Sequence, residues 1–130
     1  MPRTARRQPW AVAVVADVVA VVLFAVIGRA SHDESVGVRG VWHTAWPFLV
    51  GVGVGLALTA YSHLTPTTVR AGIRVWACAV VIGLVVRKAS GGGTAIAFVI
   101  VAAIVLGAFL VGWRAVLTWR TWRTWRHPWR

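Results

Sequence analysis

The chain has 130 residues, 58% of them hydrophobic, a mean hydropathy of +0.74 and a formal net charge of +11. That apolar content exceeds what the core of so small a water-soluble domain needs, which leaves an integral membrane protein. The single Cys78 excludes a disulfide framework or a paired-thiol metal site within one chain, and its place inside an apolar run makes it a small packing residue.

Four apolar stretches succeed one another, and each is near the ~20 residues a spanning helix requires. The expected fold is therefore all-α: a polytopic membrane protein, a compact bundle of four transmembrane helices at about 10–28, 44–63, 69–86 and 94–113. Residues 1–9 form a basic N-terminus and residues 114–130 a Trp/Arg-rich tail. Transmembrane strands fail on length and on the absence of alternation.

The first stretch, Trp10 to Ile27, is interrupted only by Asp17. Lipid tolerates a carboxylate badly, so an ionisable group there is a functional-site candidate that must face other helices. At 1.5 Å per residue it lies about 10 Å beyond Trp10. With Arg3, Arg6 and Arg7 ahead of it, the stretch could be a secretory signal cleaved after Ala30. Asp17 would spoil the apolar core of such a signal, and the run exceeds the ~7–15 residues typical of one, so an uncleaved first helix is expected.

The first connection gathers Arg29, Ser31, His32, Asp33 and Glu34, with His43 further on. These are possible metal or proton-handling groups. Consecutive residues do not share one helix face, however, and a solvated or hydrogen-bonded polar turn explains them as well.

In the second helix Thr44 is the expected cap, which would put Pro47 in the first turn, where no intrahelical hydrogen bond is lost. Trp42 and Trp46 fall at the same level, where indole rings favour the boundary between headgroups and tails. Gly51, Gly53 and Gly55 follow. Gly51 and Gly55 make a Gly-x-x-x-Gly stripe that admits close helix packing, with a narrow permeation surface as the sharper alternative.

The third helix begins with Arg70 and Arg74, and its purely apolar part runs only from Val75 to Val86. Arg74 either snorkels to the headgroups or turns inward. It lies roughly 6 Å in from the same boundary as Asp17, within reach of a guanidinium, so Asp17 and Arg74 are the expected intramembrane ion pair. The third connection, Arg87 to Thr94, has three glycines before Thr94, the expected cap of the last helix. It lacks the Gly-Lys-Ser/Thr ending of a phosphate-cradling loop, so no nucleotide site is expected.

After the fourth stretch, Trp119-Arg120, Trp122-Arg123, Trp125-Arg126 and Trp129-Arg130 repeat a Trp-Arg pair. Tryptophan prefers the interface and arginine prefers anionic headgroups, so Trp119, Trp122 and Trp125 are expected to anchor a tail lying on the leaflet. Of the fourteen basic residues, ten fall in the N-terminus, the second connection with its helix end, and the tail. With an even number of spans, this bias places both termini in the cytoplasm. The charge is thus a topology signal, and no nucleic-acid partner is expected.

No nucleophile-and-base constellation, no metal set and no intramembrane haem ligand stands out, so neither a catalytic role nor a cofactor is expected. Two classes remain. One is a structural or accessory protein of the prokaryotic cell membrane; the other is a small permease or channel for protons, cations or a small solute, working as a homo-oligomer with Asp17 in its path.

Several segments resemble one family, the domain of unknown function 3054: Asp17 through Phe24, Gly28-Arg29 with Ser31-His32-Asp33-Glu34, Thr44-Ala45-Trp46-Pro47-Phe48, Val75-Trp76, Gly93-Thr94-Ala95 with Phe98, and Gly112-Trp113-Arg114. The resemblance runs from about Trp10 to Arg114 and is most specific in Gly-Arg-x-Ser-His and Thr-Ala-Trp-Pro-Phe. It implies a small prokaryotic four-helix membrane protein, and it brings no activity with it. The Trp-Arg tail lies outside it.

Overall fold

A computed structural model describes residues 3–31, 37–92 and 95–125. They form four helices: α1 (Arg3–Ser31), α2 (Val38–Tyr61), α3 (Val69–Ala89) and α4 (Ile96–Trp125). All four are long and apolar enough to cross a membrane. Each helix packs on its sequence neighbours and α4 closes on α1, so the bundle is a four-membered ring; α2 and α3 share the broadest interface, α1 and α4 the narrowest. Large apolar side chains point outward, with Val15 and Val81 each 62% and Ile104 65% exposed. Water would not tolerate so wide an apolar surface, whereas lipid is the solvent that fits it. The chain is a multi-pass membrane protein.

The core explains the ring. Phe24, Phe48 and Phe98, from α1, α2 and α4, meet with centroids 5.2–6.3 Å apart. α3 fits against them because Gly83 has no side chain; a Cβ there would stand 2.5 Å from the Phe48 ring. Along the α2–α3 seam, Gly51 and Gly55 lie against backbone, where a Cβ would come within 2.6 Å of Ala79 Cα and 2.7 Å of Val75 Cα respectively. Gly53, between them, faces open space. The α3–α4 seam is fixed by Trp76, whose Nε1 donates to the Ala103 carbonyl at 2.8 Å.

Helix ends depart from the sequence expectation for local reasons. α2 begins at Val38, not Thr44, with Gly37 as its N-cap and no side-chain cap bond. Gly40 packs directly against the Arg29 guanidinium, which anchors this extra turn and a half. Pro47 consequently lies inside the helix and leaves the His43 carbonyl without its usual partner, at a level where Trp42 and His43 are exposed. α3 is capped by Thr68, whose Oγ1 accepts from the Ala71 amide. Thr94 lies outside the described residues. α4 does not stop at Trp113: no glycine or proline intervenes between Gly112 and Pro128, and the hydroxyls of Thr118 and Thr121 donate to the carbonyls four residues back. Hydropathy falls at Arg114, but helix formation does not depend on hydropathy.

Two helices end in the same way with different residues. Gly91 (φ 89°) closes α3, with the Gly92 amide donating to the Arg87 carbonyl. His63 (φ 58°) closes α2, with the Leu64 amide donating to the Thr59 carbonyl. Both are left-handed terminations of the Schellman kind. Glycine adopts that conformation freely; histidine is strained in it.

Candidate functional site

A buried ion pair ties α1 to α4. Asp17 and Arg114 are both fully buried. Arg114 Nη1 donates to Asp17 Oδ1 at 2.8 Å and Nη2 to Oδ2 at 2.7 Å, a two-pronged match of guanidinium to carboxylate. Trp113 Nε1 adds a third donor to Oδ1 at 3.0 Å. The rest of the guanidinium is also used: Nε donates to the Pro66 carbonyl and Nη1 to the Leu110 carbonyl, each at 2.8 Å. Its stem crosses Gly72 of α3, where a Cβ would stand 2.6 Å from Arg114 Cδ. One arginine thus joins α1, α3, α4 and the turn between α2 and α3.

The local sequence builds this arrangement. Helical side chains lean toward the N-terminus of their own helix. Because α4 runs antiparallel to α1, Arg114 leans back into the bundle toward the depth of Asp17 instead of out to the headgroups. The Trp113 indole, its neighbour, also donates to the carboxylate and packs against the Arg114 guanidinium, 4.3 Å from its Cζ. Among the described residues no buried side-chain nitrogen or oxygen lacks a hydrogen-bond partner.

This overturns the expected Asp17–Arg74 pair. Arg74 instead turns to the end of α2, where its Nη1 donates to Ser62 Oγ at 2.6 Å. α2 has no basic residue in its own last turn, so Arg74 brings positive charge to the negative end of that helix dipole. Arg114, counted by sequence as the first residue of the tail, is the true partner. The missed signal is positional: Arg114 follows the last apolar run directly, on a helix returning to the level where α1 starts.

At the opposite end of the bundle, Arg29 Nη1 donates to Thr44 Oγ1 at 3.1 Å, and Arg87 lies over the Phe98 ring with its Cζ 4.4 Å from the centroid. Of the outer-face cluster, His43 is exposed, while His32, Asp33, Glu34 and the Ser31 side chain lie outside the described residues. Among the described residues no three of His, Cys, Asp and Glu lie together in a way that could hold a metal ion. Trp42 is exposed and Trp46 half-buried. Trp119 and Trp122 are exposed on the continuation of α4, not on a separate tail, and the Trp125 side chain lies outside the described residues.

Among the described residues, two open spaces adjoin the ion pair. A cleft of about 510 Å³, lined by Pro9, Trp10, Ala60, His63, Leu64, Thr65 and Pro66, ends at the residue whose carbonyl holds Arg114 Nε. A groove of about 340 Å³ runs along the narrow α1–α4 seam, bounded by Ala16, Ala20, Ala108 and Trp113 among others. The first is a mouth at the end of the bundle bearing the α2–α3 turn; the second opens sideways.

The comparisons with known proteins add no activity to this site. No curated protein and no solved structure matches the chain. One family model, described as a protein of unknown function (DUF3054), matches residues 14–117, a stretch that includes Asp17, Trp113 and Arg114. The chain belongs to the DUF3054 family.

Proposed function

We propose that the protein is a structural or accessory component of the prokaryotic cell membrane, with both termini in the cytoplasm and no catalytic activity. The observation that carries this reading is the saturation of Asp17: a fully buried carboxylate holding three donors from α4, two of them from a guanidinium that is itself fully buried. A carboxylate that carries an ion or proton along a path has to exchange partners with water or cargo. Asp17 is instead committed to its partners, so the pair locks the ring of helices where the α1–α4 contact is narrowest. The termini orientation rests on the sequence, in which ten of the fourteen basic residues fall in the N-terminus, the second connection with its helix end, and the segment after the fourth apolar run.

One observation favours the other reading, a small oligomeric permease or channel. The cleft at Pro66 stops one hydrogen bond short of the pair. If Arg114 released Pro66, that mouth would communicate with Asp17. Proton and monovalent-cation flux into proteoliposomes decides between them, run beside an Asp17→Asn variant verified to be equally folded. The structural reading expects no flux above empty vesicles from either protein and a lower unfolding temperature for the variant. Flux carried by the native protein and lost in the variant would overturn it.

A further inference from the structure

Beyond the ion pair, α4 outruns the rest of the bundle. Arg114 is level with the α2–α3 turn, since its Nε reaches Pro66, and Ala115 through Thr124 are all exposed. The helix continues to Trp125, so about 16 Å of it projects past the turn, enough to traverse the headgroup layer on that side. Val116, Trp119, Arg120 and Arg123 share one face of this overhang by helical spacing. Trp119, Arg120, Arg123 and Thr124 surround an open notch of about 330 Å³. Arg123 stacks on the Trp119 ring, its Cζ 4.8 Å from the centroid, which fixes one guanidinium of the notch.

The chain has few acids to offer these cations. Its three acidic residues are Asp17, Asp33 and Glu34; Asp17 is taken by Arg114, and the other two belong by sequence to the α1–α2 connection, which joins helix ends far from this overhang. We propose that the notch is a binding site for the phosphodiester headgroup of an anionic membrane lipid, with Arg120 and Arg123 gripping the phosphate and Trp119 and Val116 covering the glycerol and upper acyl carbons. Guanidinium forks match phosphate oxygens, and tryptophan is the side chain most at ease at that depth. Position favours lipid over a free anion, because the notch lies on the overhang just past the α2–α3 turn, where the membrane-spanning part of the bundle ends.

Native mass spectrometry of the full chain, released from detergent with equimolar phosphatidylglycerol and phosphatidylcholine, tests the site. The native protein should retain phosphatidylglycerol preferentially. Each arginine near an anionic surface contributes about fivefold, so Arg120→Gln with Arg123→Gln should cut the preference roughly 30-fold. A second measurement needs no variant. In lipid nanodiscs at low salt, trypsin should cleave after Arg120 and Arg123 at least about fivefold more slowly in phosphatidylglycerol than in phosphatidylcholine. Equal retention of the two lipids, equal cleavage rates, or displacement of phosphatidylglycerol by an equimolar single-stranded oligonucleotide would overturn the assignment, the last by making nucleic acid the preferred anion.

Discussion

Removing Arg114 while leaving Asp17 in place strips a carboxylate that is fully buried in the native protein of two of its three donors. Hydrogen bonds to charged groups are worth about 1.5–3 kcal/mol each, and breaking a buried pair from one side costs about 3–5 kcal/mol, so Arg114→Met is expected to lose about 4 kcal/mol. Asp17→Asn keeps the shape but strands a guanidinium that still holds the Pro66 and Leu110 carbonyls, and about 3 kcal/mol is expected. The double variant carries neither charge. Its remaining defects are the Pro66 carbonyl and the side-chain amide that replaces the Asp17 carboxylate, each losing a partner, for a total of about 2–3 kcal/mol. Independent effects would sum to about 7 kcal/mol, so the cycle should show a coupling of about 4–5 kcal/mol. Equilibrium unfolding of the four proteins in mixed detergent micelles measures it. A double variant whose loss equals the sum of the singles to within about 0.5 kcal/mol would refute the pair as the lock of the bundle.

Three further perturbations have different physical causes. His63→Gly should stabilise the protein by about 1 kcal/mol, because the left-handed backbone that strains histidine is open to glycine; an unchanged or lower unfolding midpoint would contradict the strain. Gly51→Leu should prevent stable folding, since even its Cβ would stand 2.6 Å from backbone atoms of α3, whereas Gly53→Ala, facing open space, should change stability by less than about 0.5 kcal/mol; comparable losses at both positions would remove close helix approach as the reason for the glycines. Trp76→Phe deletes the indole donor to the Ala103 carbonyl while keeping most of the ring, and a loss of about 1–2 kcal/mol in the same unfolding assay is expected.

The number and type of elements are legible in the sequence because lipid imposes them: a chain with four apolar runs separated by short polar connections has few ways to satisfy its backbone. The Gly51 and Gly55 spacing likewise points to a flat helix face, since only a missing side chain lets α3 approach so closely. Helix ends are less legible, as they depend on contacts that hydropathy does not encode. The start of α2 rests on Arg29 reaching Gly40 from another helix. The end of α4 rests on propensity in a segment whose tryptophans and arginines look like a tail. Asp17 stands out by its chemistry alone, but its partner does not: matching depth selects Arg74, on a helix starting inside the bundle, and passes over Arg114, where the apolar run has already ended. A guanidinium can reach several ångströms in either direction along its helix, so matching Cα depth selects candidates and leaves the direction of the side chain open.

The same dipeptide meets two fates along α4, and the difference comes from what lies opposite. Trp113-Arg114 faces α1 at the level of its one carboxylate, and both members bind it. Trp119-Arg120 and Trp122-Arg123 project beyond the α2–α3 turn, past the level of that carboxylate. Inside the bundle, arginine is tolerated only because Asp17 neutralises it in a medium that would otherwise exclude both. Past the turn, the proposed lipid site would supply the counter-charge from the headgroup layer instead of from the protein. If the proposed lipid site holds, Arg114 separates a cation that ties the helices together from cations that hold the protein against its membrane, and substitution at Arg114 should be read in unfolding while substitution at Arg120 or Arg123 should be read in lipid retention.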